Sequence, residues 1–199
     1  MSKSINIFGF HSIESILINK PELVLKVLIQ NGRKDKRVID LINTLDSQKI
    51  TYSSTDRANL DKISKGEIHQ GVISEIILPP ILNEDSLVNS IAAFDQKVMI
   101  LMLDSVQDPR NLGACLRSAN AAGVTHVVVN KDGSAPINSL VHRTSAGALN
   151  SLQIFHVTNL SRIIKQIKKR DVWVVGLDGG TQSSLYEVNL KGSIDIVVG

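Results

Sequence analysis

Cysteine and aromatic residues are both scarce in this sequence. Its 199 residues include one cysteine, Cys115, and only 4% are aromatic. A single cysteine excludes an internal disulfide bond and a metal site built from cysteines, so Cys115 is predicted to be a small buried apolar residue. The low aromatic content disfavours a stacking platform for single-stranded RNA.

Long apolar runs and a dominant charge sign are also absent. No stretch approaches the roughly 18 apolar residues of a membrane-spanning helix. The amino terminus, MSKSINIFGF, lacks the apolar core of a signal peptide. These absences favour a cytoplasmic protein without a membrane partner. The chain has 22 Lys and Arg against 19 Asp and Glu, and its net charge of +3 permits nucleic acid as a partner without requiring it.

Two common kinds of site are missing as well. The five histidines are not spaced as a metal-ligand cluster, so no metal is expected. No G-x-G-x-x-G or Walker A pattern occurs, which argues against an NTPase and leaves a plain dinucleotide-binding enzyme as a distant alternative.

The predicted strands and helices alternate, which indicates an α/β fold. Residues 1–78 are predicted to form a small α/β domain. Two prolines then interrupt the chain, so we place a linker at 79–84 and a second domain with a parallel sheet at 85–199. Within that second domain, residues 172–177 are predicted to be a buried strand.

The polar loop after residue 103 is the most informative stretch. Residues 98–103 form a continuous apolar run, which predicts a strand covered on both faces. Asn111 is the predicted N-cap of a helix over 112–122. The four polar side chains before this helix would lie at the carboxyl end of a parallel strand, where ligands bind in open α/β sheets. They are Asp104, Asp108, Arg110 and Asn111.

The same stretch carries a family motif. The pattern Asp104-x3-Asp108-Pro-x-Asn-x-Gly-Ala-x3-Arg117-x-Ala-x3-Gly123 resembles the first motif of the SpoU (TrmH-type) RNA 2'-O-ribose methyltransferases. The resemblance implies a parallel sheet tied in a trefoil knot, S-adenosylmethionine as cofactor, and a homodimer. Within the family, the chain is similar to the bacterial enzymes that methylate a guanosine of 23S rRNA.

The amino-terminal part also resembles this family. Ile7-x-Gly9-x-His11-x-Ile13 and His69-Gln70-Gly71 are similar to the L30e-like domain that binds the RNA substrate in many members. The resemblance therefore covers essentially the whole chain and implies an L30e-like domain followed by a SpoU methyltransferase domain.

The resemblance also implies the roles of individual residues. Arg117 would activate the 2'-hydroxyl with Asn111 in support, although a structural salt bridge from Arg117 to Asp104 or Asp108 is an equal alternative from the sequence. The other expected site residues have ordinary strand-end, turn or solvated-charge explanations as their alternatives. For the cofactor they are Gly176, Leu177 and Gly199, and for RNA they are Arg110, Lys131 and Arg143 at one sheet edge and His11 and His69 in the small domain.

The chain departs from the family after its last predicted strand. The second motif of the family, Gly-x-Glu-Gly-x-Gly, begins at Gly199, and its glutamate and the serine and asparagine of the third motif are absent here. A strand at 194–198 would then lack a covering helix and a neighbour for its edge. We therefore expect a fragment of a longer protein, and a non-catalytic RNA-binding module of the same fold is the alternative function.

Overall fold

The structure, a computed structural model, describes residues 4–93, 97–182 and 184–199 and divides the chain into two compact units. The first unit comprises the chain up to Pro79 together with Ile137–Asn150. The second comprises Pro80–Pro136 and Ser151–Gly199.

The first unit is built on a mixed sheet. Its strands are β1 Ser4–Phe8, β2 Val24–Gln30, β3 Tyr52–Thr55 and β4 Val72–Ile77, and its helices are α1 Phe10–Asn19, α2 Lys36–Ser47, α3 Arg57–Ser64 and α6 Ser139–Thr144. The strand order is β1-β4-β2-β3. β4 is antiparallel to β1 and to β2, whereas β2 and β3 are parallel. This arrangement agrees with the small α/β fold expected from the sequence.

Helix α2 shows how the sequence produces this unit. The Asp35 side chain caps the helix by accepting a hydrogen bond from the backbone N–H of Val38. Val38, Leu41 and Leu45 recur at helical spacing and are buried, so they pack with the sheet in one apolar core.

The second unit is built on a parallel sheet. Its strands are β5 Met99–Leu103, β6 His126–Asn130, β7 Gln153–Val157, β8 Trp173–Leu177 and β9 Ile194–Val198, and its helices are α4 Glu84–Ala92, α5 Pro109–Ala121 and α7 Leu160–Lys168. All four strand pairs are parallel, as predicted. One apolar core contains buried residues of α4 and α7 together with residues of the strands.

The strand order of this sheet creates a site for ligands. The order is β7-β6-β5-β9-β8. The chain therefore runs outward from β5 to β7, crosses to β8 at the opposite edge and returns as β9 beside β5. The direction of the connections changes at β5 and β9, and open α/β sheets bind ligands at the carboxyl ends of strands at such a point.

Two strand predictions are wrong in detail. β9 pairs with β5 on one side and β8 on the other, so the strand at 194–198 does have neighbours. β8 is instead an edge strand, and Trp173 at its start is 66% exposed, so it is not the buried strand that was predicted. The Val-rich sequence of an edge strand resembles that of a central one, because the difference lies in strand order and not in composition.

Candidate functional site

Helix α5 begins at the carboxyl end of β5, three residues earlier than predicted. Asp108 is the N-cap, Pro109 is the first helical residue, and the Asp108 carboxylate accepts a hydrogen bond of 2.7 Å from the backbone N–H of Arg110. The prediction of Asn111 as N-cap is therefore wrong. Proline is well suited to the first helical position because its φ is already helical and its missing N–H needs no partner there.

Asp104 connects the ends of two strands. Its Oδ1 accepts hydrogen bonds from Asn130 Nδ2 at 2.7 Å and from Ser105 Oγ at 2.9 Å, and Asn130 is the last residue of β6. The backbone N–H of Asp104 also donates to the carbonyl of Val198 in β9. Asn130 was not among the predicted site residues, although its place directly after three valines at the end of a strand was a usable signal.

Arg117 is an exposed residue of α5. It forms no hydrogen bond or ion pair with any residue in the part of the chain that the structure describes, so the alternative of a salt bridge to Asp104 or Asp108 is wrong. Arg110 is also exposed and lies seven residues earlier, on the same helix face and about 10.5 Å away along the axis. Long side chains on a helix lean toward its N-terminus, which here lies at the carboxyl edge of the sheet.

Asn111 follows Arg110 in the first turn of α5. It is the third helical residue and is exposed. Because Asp108 provides the cap, the Asn111 side chain is not needed to cap the helix. Its side chain is therefore available for a ligand at the carboxyl edge.

The three residues expected to hold the cofactor lie at adjacent strand ends. Gly176 and Leu177 end β8, and Leu177 is aligned with Val198, the residue before Gly199. Gly176 and Leu177 line a cavity of about 400 Å³ with the loop that follows β8 and with Leu185 and Val188. A side chain added at Gly176 would meet no atom within 4 Å, so the backbone there is open to a ligand.

Lys131 lies at the same sheet edge, directly after β6. It lines a cavity of about 510 Å³ with residues of α4, β7 and α7. The pKa of His156 is lowered mainly by burial and, to a lesser extent, by the positive charge of Lys131. Lys131 is exposed, as a residue that binds RNA phosphates has to be.

Arg143 is paired within the first unit. It was expected at one sheet edge with Arg110 and Lys131, but it is part of α6 and belongs to the first unit. There it forms an ion pair with Glu67. The carboxylate of Glu67 thus balances the positive charge of the Arg143 guanidinium within this unit.

His11 and His69 differ in their environments. The His11 side chain is 85% exposed, with Nδ1 3.5 Å from Arg37 Nη2. His69 is buried, and its Nε2 lies 2.8 Å from Asp61 Oδ1 while its Nδ1 accepts from the backbone N–H of Gly71. Both ring nitrogens of His69 are engaged inside the fold, so its expected contact with RNA is replaced by a structural role.

Asp195 is the most unusual ionisable residue of the second unit. It lies in β9 and is 0% exposed, and neither carboxylate oxygen has a hydrogen-bond partner among the described residues. Its neighbours in the sheet are Ile100 and Val174. Burial in this apolar environment disfavours the charged form and raises the pKa of Asp195 to about 7.

Three further observations bear on the kind of site. Within residues 4–93, 97–182 and 184–199, no group of three or more His, Cys, Asp or Glu could hold a metal ion. No helix in this described part is long and apolar enough to cross a membrane. Cys115 is only half-buried, not fully buried as predicted, and burial raises the pKa of its thiol, which disfavours the reactive thiolate.

Comparison with known families gives two matches along the chain. The SpoU rRNA Methylase family matches residues 98–199. A second family, described as RNA 2'-O ribose methyltransferase substrate binding, matches residues 6–80.

Curated proteins match almost the entire chain. A 23S rRNA (guanosine-2'-O-)-methyltransferase RlmB from Haemophilus influenzae is 41% identical over 194 residues, which are 97% of this chain and 78% of that protein. The protein of the same name from Escherichia coli is 39% identical over 193 residues, which are 97% of this chain and 79% of that protein.

Solved structures share the fold. An RNA 2'-O ribose methyltransferase has a TM-score of 0.76 at 25% identity, covering 100% of this chain and 72% of its own. The SpoU methyltransferase AviRb from Streptomyces viridochromogenes, solved in complex with AdoMet, has a TM-score of 0.76 at 16% identity and covers 98% of this chain and 72% of its own. The α/β architecture with a parallel sheet is thus the fold expected from the sequence.

Proposed function

The chain belongs to the SpoU rRNA methylase family, and we propose that it transfers a methyl group from S-adenosylmethionine to the ribose 2'-hydroxyl of a guanosine in 23S rRNA. The observation that carries this proposal is Arg117, an exposed cation without a partner among the described residues, on the helix α5 that begins at the carboxyl end of β5. Relatives that are about 40% identical over nearly the whole chain bear the corresponding name.

The carboxyl ends of β8 and β9 suit S-adenosylmethionine, which supplies a methyl group on a positively charged sulfonium. The cavity beside Gly176 has apolar walls from Leu177, Leu185 and Val188 and exposed backbone from the glycines. Apolar walls with a few polar groups are typical of cofactor sites. Gly176 and Leu177 in this cavity, and Gly199 after the neighbouring strand β9, would hold the cofactor and keep water away from it.

Arg117 would act on the ribose. A guanidinium has a pKa above about 12 and does not normally remove a proton, so we assign it a role as a cation. It would hold the phosphate next to the target ribose and stabilise the negative charge that develops on the 2'-oxygen. Arg110, on the same helix face, and Lys131, after β6, would bind neighbouring phosphates, while Asn111 would orient the ribose.

The proposal extends to the rest of the protein. Residues 1–78 would bind the RNA substrate, 79–84 would be the linker, and 85–199 would be the methyltransferase domain. We further propose that the protein works in the cytoplasm as a homodimer whose sheet is tied in a trefoil knot, as the resemblance implies.

An assay of transfer tests this function. The protein is incubated with tritiated S-adenosylmethionine and an in vitro transcript of 23S rRNA, and the labelled position is mapped by its resistance to alkaline cleavage, which requires a free 2'-hydroxyl. We expect one labelled guanosine that resists cleavage. Label on a base would contradict the proposal, and RNA binding without label would favour the non-catalytic RNA-binding module.

Calorimetry separates cofactor binding from transfer. Titration with S-adenosylmethionine alone should show one site per chain, and the variant Gly176→Trp, which fills the space beside β8, should abolish that heat. Heat that is unchanged in this variant would place the cofactor elsewhere.

A further inference from the structure

A short segment that leads from β2 into the first turn of α2 carries a local excess of positive charge. Residues 33–37, Arg-Lys-Asp-Lys-Arg, contain four cations and one anion, and we call them the basic loop. The loop lies at the carboxyl end of β2, next to the segment that leads into β4. A count over the whole chain, where 22 cations nearly balance 19 anions, hides this cluster.

Arg33 is fixed at the start of the basic loop. Its Nε and Nη2 both lie 2.8 Å from Asp35 Oδ2, and its Nη1 donates to the carbonyl of Gln70. The guanidinium also lies 5.3 Å from the ring centroid of the buried Phe10, within the range of a cation–π contact.

Arg37 is fixed at the end of the basic loop. It binds Glu14 through two hydrogen bonds of 2.9 and 2.8 Å, and its guanidinium lies 4.6 Å from the same Phe10 ring. Both ends of the loop are therefore held by specific contacts, so the residues between them are presented by a rigid frame.

Lys34 and Lys36 are the free cations of the loop. Both are exposed, and neither forms an ion pair with a residue in the described ranges of the chain. Two anions beside them are engaged elsewhere, since Asp35 pairs with Arg33 and caps α2, and Glu14 pairs with Arg37.

Lys36 occupies a position that helix stability does not favour. It is the first residue of α2, and the first turn of this helix contains no acidic residue. The helix macrodipole places partial positive charge at this end, so a lysine there is unfavourable and an anion is favourable. The fold alone therefore gives no reason for this lysine, whereas an anionic partner would.

We propose that the basic loop binds the phosphodiester backbone of the RNA substrate, with Lys34 and Lys36 each contacting a phosphate. The inference rests on the proposed function and identifies the surface by which the first unit holds RNA. Lysine binds phosphate as a point charge, and such contacts position RNA without reading its sequence. His11, which is exposed beside Arg37, borders the same surface.

The test compares two pairs of exposed lysines. Lys34→Ala/Lys36→Ala removes the two free cations of the loop, and Lys165→Ala/Lys168→Ala removes two exposed cations of α7 as a matched control. The dissociation constant for an in vitro transcript of 23S rRNA is measured by filter binding over a series of KCl concentrations.

We expect weaker binding only for the loop variant. Two lost phosphate contacts should raise its dissociation constant by about 10-fold or more and reduce the slope of log affinity against log salt by roughly 1.5. The conservative variant Lys34→Arg/Lys36→Arg keeps both charges and should bind like the wild type. A thermal melt should show that the loop variant is folded, because neither lysine has a partner to lose.

Two results would overturn the inference. One is a loop variant with wild-type affinity and salt slope, and the other is an equal loss in the α7 control, since that would mean non-specific charge attraction. Failure of the proposed function looks different. In that case, RNA binding would depend on Lys34 and Lys36, but no methyl group would be transferred and S-adenosylmethionine would give no heat.

Discussion

At the scale of single residues, Arg117 is the side chain on which the proposed chemistry depends most. It is exposed and has no partner among the described residues, so the fold does not require its charge. A cation that contributes nothing to folding, on the helix that follows the carboxyl end of β5, is best explained by a ligand.

Replacing this arginine should separate activity from stability. We expect Arg117→Ala to lower kcat/KM for methyl transfer by about 100-fold or more, as the loss of a preorganised charge donor does in other enzymes. The free energy of unfolding should change by less than about 0.5 kcal/mol, because no contact is lost. Arg170→Ala, which removes another exposed arginine, is the control and should leave both quantities unchanged. Equal activity of the two variants would remove Arg117 from the mechanism.

Asp195 makes stability depend on pH. Its pKa is about 7 in the folded chain against 3.8 for an ordinary aspartate, so between these values the folded state binds a proton that the unfolded state has released. Stability should therefore fall as pH rises from about 4 to about 7 and then level off, and the pKa difference corresponds to about 4 kcal/mol.

The variant Asp195→Asn tests this linkage because it cannot ionise. Urea unfolding at pH 5 and pH 8 should show the wild type losing stability between the two values and the variant losing much less, so that the variant is the more stable protein at pH 8. A wild type that is equally stable at both values would contradict the burial of this carboxyl group.

Some residues could be assigned from the sequence and others could not. The motif correctly placed Arg117 on a helix that follows the strand at 98–103, because its spacing is that of a strand–loop–helix unit, while the role of Arg117 stays a prediction. His69 was assigned to RNA, yet its ring binds Asp61 and the backbone of Gly71, partners that only the folded chain brings together. Lys34 and Lys36 were not predicted, because a nearly balanced charge over the whole chain conceals a local cluster of cations.

At the scale of elements, the start of α5 determines how the site residues are presented. The helix begins after Asp108, so Arg110 and Asn111 both lie in its first turn, at the mouth of the loop. Asp108 and Asn111 are both residue types that cap helices well. Pro109 favours Asp108, because proline is common at the first helical position and therefore directly follows the cap.

The cap predicts a difference between two neighbouring variants. Asp108→Ala should lower the free energy of unfolding by about 1 kcal/mol because the N–H of Arg110 loses its acceptor. Asn111→Ala should change it by less than about 0.5 kcal/mol, since its side chain caps nothing. Urea titrations of the two proteins check this, and a larger loss in the Asn111 variant would restore the original assignment.

The order of the strands in the parallel sheet could not be predicted from the local sequence. Hydrophobic runs correctly indicated β5, β8 and β9 as strands. The apolar sequences of β8 and β9 are similar, however, and β8, which was expected to be buried, is the edge strand, while β9 is central. Which of the two is central depends on the crossover from β7, and that connection is decided by packing over the whole sheet.

At the scale of the whole molecule, the two units are not simply the segments before and after the predicted linker. Ile137–Asn150 packs with the first unit, through α6 against β1 and a hydrogen bond from Ser15 to Gly147, although it lies between strands of the second. Arg143, in this segment, is paired with Glu67 of the same unit. Contacts between segments that are distant in sequence leave no local pattern from which to predict them.

The proposed homodimer is a prediction at this scale. Light scattering at micromolar concentration should give twice the mass of one 21.7 kDa chain. The mass should not change when RNA is removed with nuclease, because the association would be between protein chains. A mass of one chain under these conditions would contradict the dimer.

The most direct test of the central claim is the state of 23S rRNA in cells that lack the gene. Ribosomal RNA from the wild type and the deletion strain is compared by mass spectrometry of its nuclease fragments. We predict that one 2'-O-methylguanosine of 23S rRNA disappears, returns when the wild-type gene is restored, and does not return with Arg117→Ala. A 23S rRNA whose 2'-O-methylation is the same in all four strains would contradict the account.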